Sequence, residues 1–203
     1  FASVLTNDNF IWIPIRGTLS SREWAQDLTY QQEVFLDSKS TVQVKLDFLL
    51  AANGEQPSVH KGFVDAYINF RQDLLDTLEK IDPTKSKTII VCGHSIGAGI
   101  STILGSDVVN KGYKAVVYNF ASPRVGDQVF CDFVAKMGLK IFRVVNTADI
   151  VPNLPPSVSP NFKQTDQPYE YVHCGTLKAF ADNWKSILNN HLIGVYMKAL
   201  KSM

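Results

Sequence analysis

Between Ile89 and Gly99 the chain passes from four apolar residues, Ile89, Ile90, Val91 and Cys92, straight into Gly93-His94-Ser95-Ile96-Gly97. Apolar residues at helical spacing follow at once: Ile96, Ile100, Ile103, Leu104 and Val108. The first run predicts a buried strand and the second a helix, with almost no loop between them. Such a reversal forces the backbone of Ser95 into a sparsely populated region, and only residues without a Cβ clear the turn on either side. The turn lifts the Ser95 hydroxyl out of the sheet at a helix N-terminus. There the free N–H of Ile96 and the helix dipole would face any oxyanion formed nearby. The same five residues also suit a plain small-residue turn that packs a helix onto a strand, so the motif has to find partners elsewhere in the chain.

Taken in order, Phe10 to Ile15 reads as a strand, with Arg16-Gly17-Thr18 turning out of its end. Ser20 to Leu28 suits a short helix capped by Ser20, with Trp24 and Leu28 on one face. Thr41 to Leu46 alternates as a strand does, and a polar loop leads to Val59-His60-Lys61-Gly62-Phe63. A long amphipathic helix runs from Gly62 through Ile81 and stops at Asp82-Pro83. Beyond the elbow, strands are expected at Ala115–Phe120 and Ile141–Asn146, with a helix carrying Val129 to Met137 between them. Tyr169 to Val172 reads as a last short strand, Leu177 to Leu188 as a helix, and His191 as the opening of a final helix bearing Leu192, Val195, Tyr196, Ala199 and Leu200. Strands alternating with helices predict one α/β domain over 1–203 with a mostly parallel sheet.

The 203 residues are 45% hydrophobic, which is ample for a core, and carry a net charge of +1 with no basic run, which argues against a nucleic-acid surface. No apolar run approaches the length of a membrane span. Metal and nucleotide motifs are missing too: there is no His-Glu-x-x-His, no phosphate-cradling glycine loop and no Cys-x-x-Cys, so no cofactor is expected. Phe1 opens in what already reads as mid-domain sequence, so upstream residues are expected to be cleaved or absent. Three cysteines, Cys92, Cys131 and Cys174, suit a reducing compartment or a fold without staples, and no Asn-x-Ser/Thr acceptor occurs. Secreted and intracellular locations both stay open.

A serine hydroxyl becomes a good nucleophile when a histidine takes its proton and a carboxylate orients that histidine. On an elbow the order along the chain is Ser, then Asp or Glu, then His. Asp149 is the best acid, because it lies in the loop after the second strand past the elbow. In a parallel sheet that loop emerges at the same edge as the elbow. Asp127 is the runner-up and better suits a helix N-terminus; Asp107 and Asp132 fall within helices, and Asp166 has no strand before it. Two histidines follow Asp149: His173, after the last expected strand, and His191, after Asn189 and Asn190. Position separates them little, and either could be a half-buried histidine held by a backbone hydrogen bond.

Five blocks carry a resemblance: Arg16-Gly17-Thr18, Val59 to Phe63, Gly93 to Gly97, Phe120-Ala121-Ser122-Pro123-Arg124-Val125-Gly126-Asp127, and Asp149-Ile150-Val151-Pro152. Together, in this order and spanning nearly the whole chain, they resemble the class 3 lipases, the family of the filamentous-fungal triacylglycerol lipases. The resemblance implies an α/β-hydrolase fold with Ser95 as nucleophile, Asp149 as acid and His191 as base. His173 matches a family histidine outside that triad. Thr18 matches the oxyanion residue, with the Ile96 N–H as its partner, and Ser20 to Leu28 aligns with the lid helix bearing Trp24 and Leu28. The implied activity is hydrolysis of acylglycerols or related lipid esters, at a lipid–water interface if the lid acts. Alternatives are a short-chain or feruloyl carboxylesterase, a phospholipase A1, or a lipase-like module that only binds partners. Departures are Ala98, where a second glycine is usual, the lack of an evident counterpart to the family's disulfides, and the missing helix and strands that precede the Arg-Gly-Thr strand. That missing N-terminal segment is expected either as a separate associated chain or not at all.

Overall fold

The computed structural model describes residues 2–17, 32–34, 57–160 and 168–202, with 32–34 as backbone only. Ten strands and five helices are present among them: β1 Leu5–Thr6, β2 Phe10–Ile15, β3 Gln32–Val34, β4 Ser58–His60, α1 Lys61–Ile81, β5 Thr88–His94, α2 Ile96–Asn110, β6 Lys114–Phe120, α3 Gln128–Lys136, β7 Lys140–Asn146, β8 Val158–Ser159, β9 Tyr169–Glu170, β10 Thr176–Phe180, α4 Ile187–Asn190 and α5 Ile193–Ser202. Six strands form one sheet in the order β1-β2-β5-β6-β7-β10. Every pairing in it is parallel except β1 with β2. β3 pairs with β4 and β8 with β9 in two small antiparallel ladders.

Alternation along the strands fixes the core. Ile11, Ile13, Ile15, Ile89, Val91, Val117 and Ile141 are buried beneath Phe63, Tyr67, Leu74 and Leu78 of α1, Ile100, Ile103 and Leu104 of α2, and Phe130 and Phe133 of α3. Each such side chain, fully buried, contributes about 1.5–3 kcal/mol. The alternate positions are only partly covered, and Phe10 and Tyr118 are exposed. Cys92, expected in a fully buried strand, lies on that second face as a half-buried free thiol. α1 and α2 are also locked by charge: the buried Asp107 accepts from Tyr67 Oη at 2.8 Å and from Arg71 Nε at 2.6 Å.

Three expectations are corrected. Leu177 to Leu188 is not one helix: Thr176–Phe180 is an edge strand parallel to β7, and only Ile187–Asn190 is helical in the stretch before His191. Its Leu, Lys and Ala favour helix locally, but the open edge of β7 supplies a full ladder of backbone partners, and those win. Tyr169 to Val172 is therefore not the last strand, and β9 ends at Glu170, outside the main sheet. The fold also has a staple, a Cys131–Cys174 disulfide with Cα atoms 5.0 Å apart across 43 residues of sequence. No short-range spacing encodes a pair so far apart; the packing of α3 against 172–175 creates it. The Thr41–Leu46 strand and the Ser20–Leu28 helix lie outside the described residues.

Candidate active site

β5 enters α2 through Ser95, whose backbone sits at φ 60° and ψ −129°. A non-glycine residue is strained there, and the surrounding structure has to hold it. A Cβ at Gly93 would collide with the Gly97 carbonyl, and one at Gly97 would stand 2.6 Å from the Ile15 carbonyl oxygen. The two glycines of the motif are thus required by close approach. Ser95 N–H is anchored at 3.0 Å to the carbonyl of Phe120 at the end of β6. Ile96 is the first residue of α2, so its N–H has no acceptor within the helix. Gly17 packs directly on the elbow, since a Cβ there would lie 2.9 Å from the His94 carbonyl oxygen. Thr18, the next residue, and the lid candidates Trp24 and Leu28 lie outside the described residues.

Ser95 Oγ stands 2.8 Å from His191 Nε2, and His191 Nδ1 stands 2.7 Å from Asp149 Oδ2. All three residues are buried, with 8%, 6% and 2% of their surfaces exposed for Ser95, His191 and Asp149. Asp149 turns out of β7 and accepts the Val151 N–H at 2.9 Å on Oδ1. His191 ends α4 and precedes α5. The two loops are sewn together by carboxamides. Asn190 Nδ2 donates to the Ala148 carbonyl at 2.9 Å, and Asn146 Nδ2 donates to those of Asp182 and Asn190 at 2.8 and 3.2 Å. Asn190, which the sequence marks only as the residue before His191, is a buried clamp.

Two residues that sequence reasoning left aside border this chain of contacts. Tyr196 Oη donates to Asp149 Oδ2 at 2.6 Å and accepts the Asn146 N–H at 3.2 Å. Burial, then the hydrogen bond to Asp149 and that residue's charge, pushes its phenol far above the usual range, which keeps it a donor. Its position on the apolar face of α5 suggested only packing, and nothing local signals the contact. His94, set aside because it precedes the acid, lies with its ring centroid 4.6 Å from that of His191, and its Nε2 is 2.8 Å from the His191 carbonyl oxygen. Burial, and after it the positive charge His191 can carry, lowers His94 to about 4, so it stays neutral.

His173 is elsewhere: its Nε2 donates to the Pro152 carbonyl at 2.8 Å. Asp127 caps α3, accepting the Phe130 N–H at 2.7 Å. Among the described residues no cluster of three or more His, Cys, Asp or Glu side chains is arranged to hold a metal ion. No helix among them is long and apolar enough to cross a membrane.

A mostly parallel sheet with a strained serine at the strand-to-helix turn defines an α/β-hydrolase. The model of the class 3 lipases matches residues 12–159, and the chain belongs to that family. It is 28% identical over 183 residues to a lipase of Rhizomucor miehei, covering 87% of this chain and 43% of that protein. It is 30% identical over 164 residues to phospholipase A1-II 4 of Oryza sativa subsp. japonica, covering 70% of this chain and 39% of the relative. Among solved structures, a triacylglycerol lipase whose catalytic centre is formed by a serine protease triad superposes with a TM-score of 0.69 at 27% identity, over 90% of this chain and 62% of its own. The chain thus spans about two fifths of the length of these curated relatives.

Proposed function

We propose that this chain, as a single domain, is a serine ester hydrolase of lipase type, acting on acylglycerols or related lipid esters through an acyl-enzyme on Ser95. The observation that carries the reading is the unbroken contact chain from the strained Ser95 through His191 to Asp149. In the proposed reaction His191 Nε2 takes the Ser95 proton as Oγ attacks the ester carbonyl. Asp149 holds the imidazole in the required tautomer and stabilises the imidazolium that forms. The Ile96 N–H and the α2 dipole stabilise the oxyanion, with Thr18 as the second donor. Collapse of the tetrahedral intermediate expels the alcohol, which leaves with the proton from His191. Water, activated by the same imidazole, then releases the acid and restores Ser95.

The phospholipase A1 relative favours a second substrate, a phospholipid. A triolein emulsion assayed beside phosphatidylcholine vesicles, with p-nitrophenyl esters from acetyl to palmitoyl, ranks the two and the short-chain esterase alternative. The lid reading of Trp24 and Leu28 predicts that activity climbs once substrate forms droplets. A fluorophosphonate probe tests the mechanism: it should label the protein, and Ser95→Ala should lose both labelling and turnover. Labelling that survives in Ser95→Ala transfers the nucleophile elsewhere, and no labelling at all favours a binding module.

A further inference from the structure

Away from Ser95, beneath the turn that follows Asp149, lies a group of positive charges without a counter-charge among the described residues. Arg143, in mid-β7, is 9% exposed, and its Nε has no hydrogen-bond partner. Among the described residues, the charge that acts on its guanidinium is the like charge of Arg124, which adds to burial. Arg124 itself is spent on backbone, donating through Nη1 to the carbonyls of Asn153 and Pro155. His173 stands beside both arginines. Isolated buried ions cost several kcal/mol unless an opposite charge compensates them.

Arg143 and His173 line a small cavity of about 10 Å³ together with Thr102, Ser122, Pro123, Val125 and Cys174. That is room for one water-sized particle. Arg143's neighbour in the ladder, Asn119, has a buried Oδ1 that also lacks a partner, but a neutral amide cannot balance a guanidinium. Ser122 also lines the cavity, and its hydroxyl now donates to the adjacent Pro123 carbonyl at 3.0 Å.

We propose that this cavity is a site for one small monovalent anion, chloride being the halide in ordinary supply, held by the Arg143 guanidinium and the Ser122 hydroxyl. The carrying observation is a nine-tenths-buried arginine with an orphan Nε that lines a particle-sized cavity, with Arg124 as a like charge and, among the described residues, no carboxylate paired with it. The bound anion fastens β7 to 121–125 and to 172–174. His173 in turn grips Pro152 in the turn Val151–Asn153, so the anion supports the backbone that follows Asp149. The site is independent of the proposed hydrolysis.

The test is thermal unfolding of the intact protein in sodium chloride against sodium gluconate at equal ionic strength, since gluconate is too large to enter. A ligand of the native state raises Tm with the logarithm of its concentration, by about 3–5 °C per ten-fold above saturation for a chain this size. The wild type should show that climb in chloride alone, and Arg143→Met should be flat. Equal behaviour in the two salts, or an undiminished chloride effect in Arg143→Met, overturns the proposal. Should Arg143→Met fail to fold, crystals of the wild type grown in sodium bromide decide the matter. An anomalous peak against the Arg143 guanidinium supports the site, and a water there, without anomalous signal, overturns it. Fluorophosphonate labelling reports separately on Ser95 and is expected to be the same in both salts.

Discussion

Two buried or half-buried histidines follow Ser95 in the chain, and their surroundings differ in charge. His191 meets a carboxylate at one nitrogen and a hydroxyl at the other. His173 spends one nitrogen on a main-chain carbonyl and faces Arg143 and Arg124. A proton arriving at His191 finds Asp149 waiting; one arriving at His173 finds two guanidiniums. Burial first, then those arginines, pushes His173 down to about 4. The difference teaches that shielding from water does not make a base. A base needs an opposite charge placed to receive the imidazolium, and among the described residues only His191 has one beside it.

The largest effect expected is on turnover. His191→Ala should lower kcat on p-nitrophenyl butyrate by four to six orders of magnitude, on the order of what removal of a triad member costs in serine hydrolases. His173→Ala should leave kcat within about ten-fold and lower Tm instead, because it loses packing and one hydrogen bond. The reverse outcome would move the base to His173 and erase the contrast drawn above.

Next comes the staple that holds the His173 segment to α3. Replacing Cys131 and Cys174 by serine should cost about 2–4 kcal/mol, read from urea unfolding, while the folded fraction keeps its kcat. A parallel collapse of kcat at low temperature would mean that the two pockets are mechanically coupled. Tyr196→Phe should act on the other pocket. Without the phenol, Asp149 carries a less dispersed charge and favours imidazolium more strongly. The acid limb of kcat/KM should then move to higher pH, with kcat down roughly ten-fold. An unmoved limb would reduce Tyr196 to packing.

The smallest effect is on stability in acid. His173 and His94 both titrate near 4 in the fold, below the ordinary value of 6.5. As pH falls through 6.5 the unfolded chain takes up these protons first, so stability is intact above that value and is lost on the way down to about 4. His173→Gln should flatten that slope in Tm by about half, His94 supplying the remainder. An unchanged slope would mean that His173 is not held neutral.

Much of this was legible in the residues. The strand, turn and helix around Ser95 follow from a β-branched run, two glycines and an apolar helical period, all local signals. Asp149 followed from strand order, because parallel strands deliver alternate loops to one edge. The α1 and α3 helices were found within a residue or two of their ends, Asp82-Pro83 and Asp127 being strong punctuation. The 176–180 edge strand was missed because Thr-Leu-Lys-Ala-Phe has no buried face to impose alternation: its first four residues are exposed. Its strand character comes from β7 alone.

The sequence by itself determined where the nucleophile candidate sits and what kind of fold surrounds it, because those depend on neighbours a few residues apart. Only the tertiary structure decided which histidine meets Asp149, that Tyr196 shares that carboxylate, that Cys131 finds Cys174, and that Arg143 has no counter-charge among the described residues. Those are encounters between side chains tens of residues apart. No period or spacing records them, since they are fixed by how α5 and the segment 172–175 come to rest against the sheet.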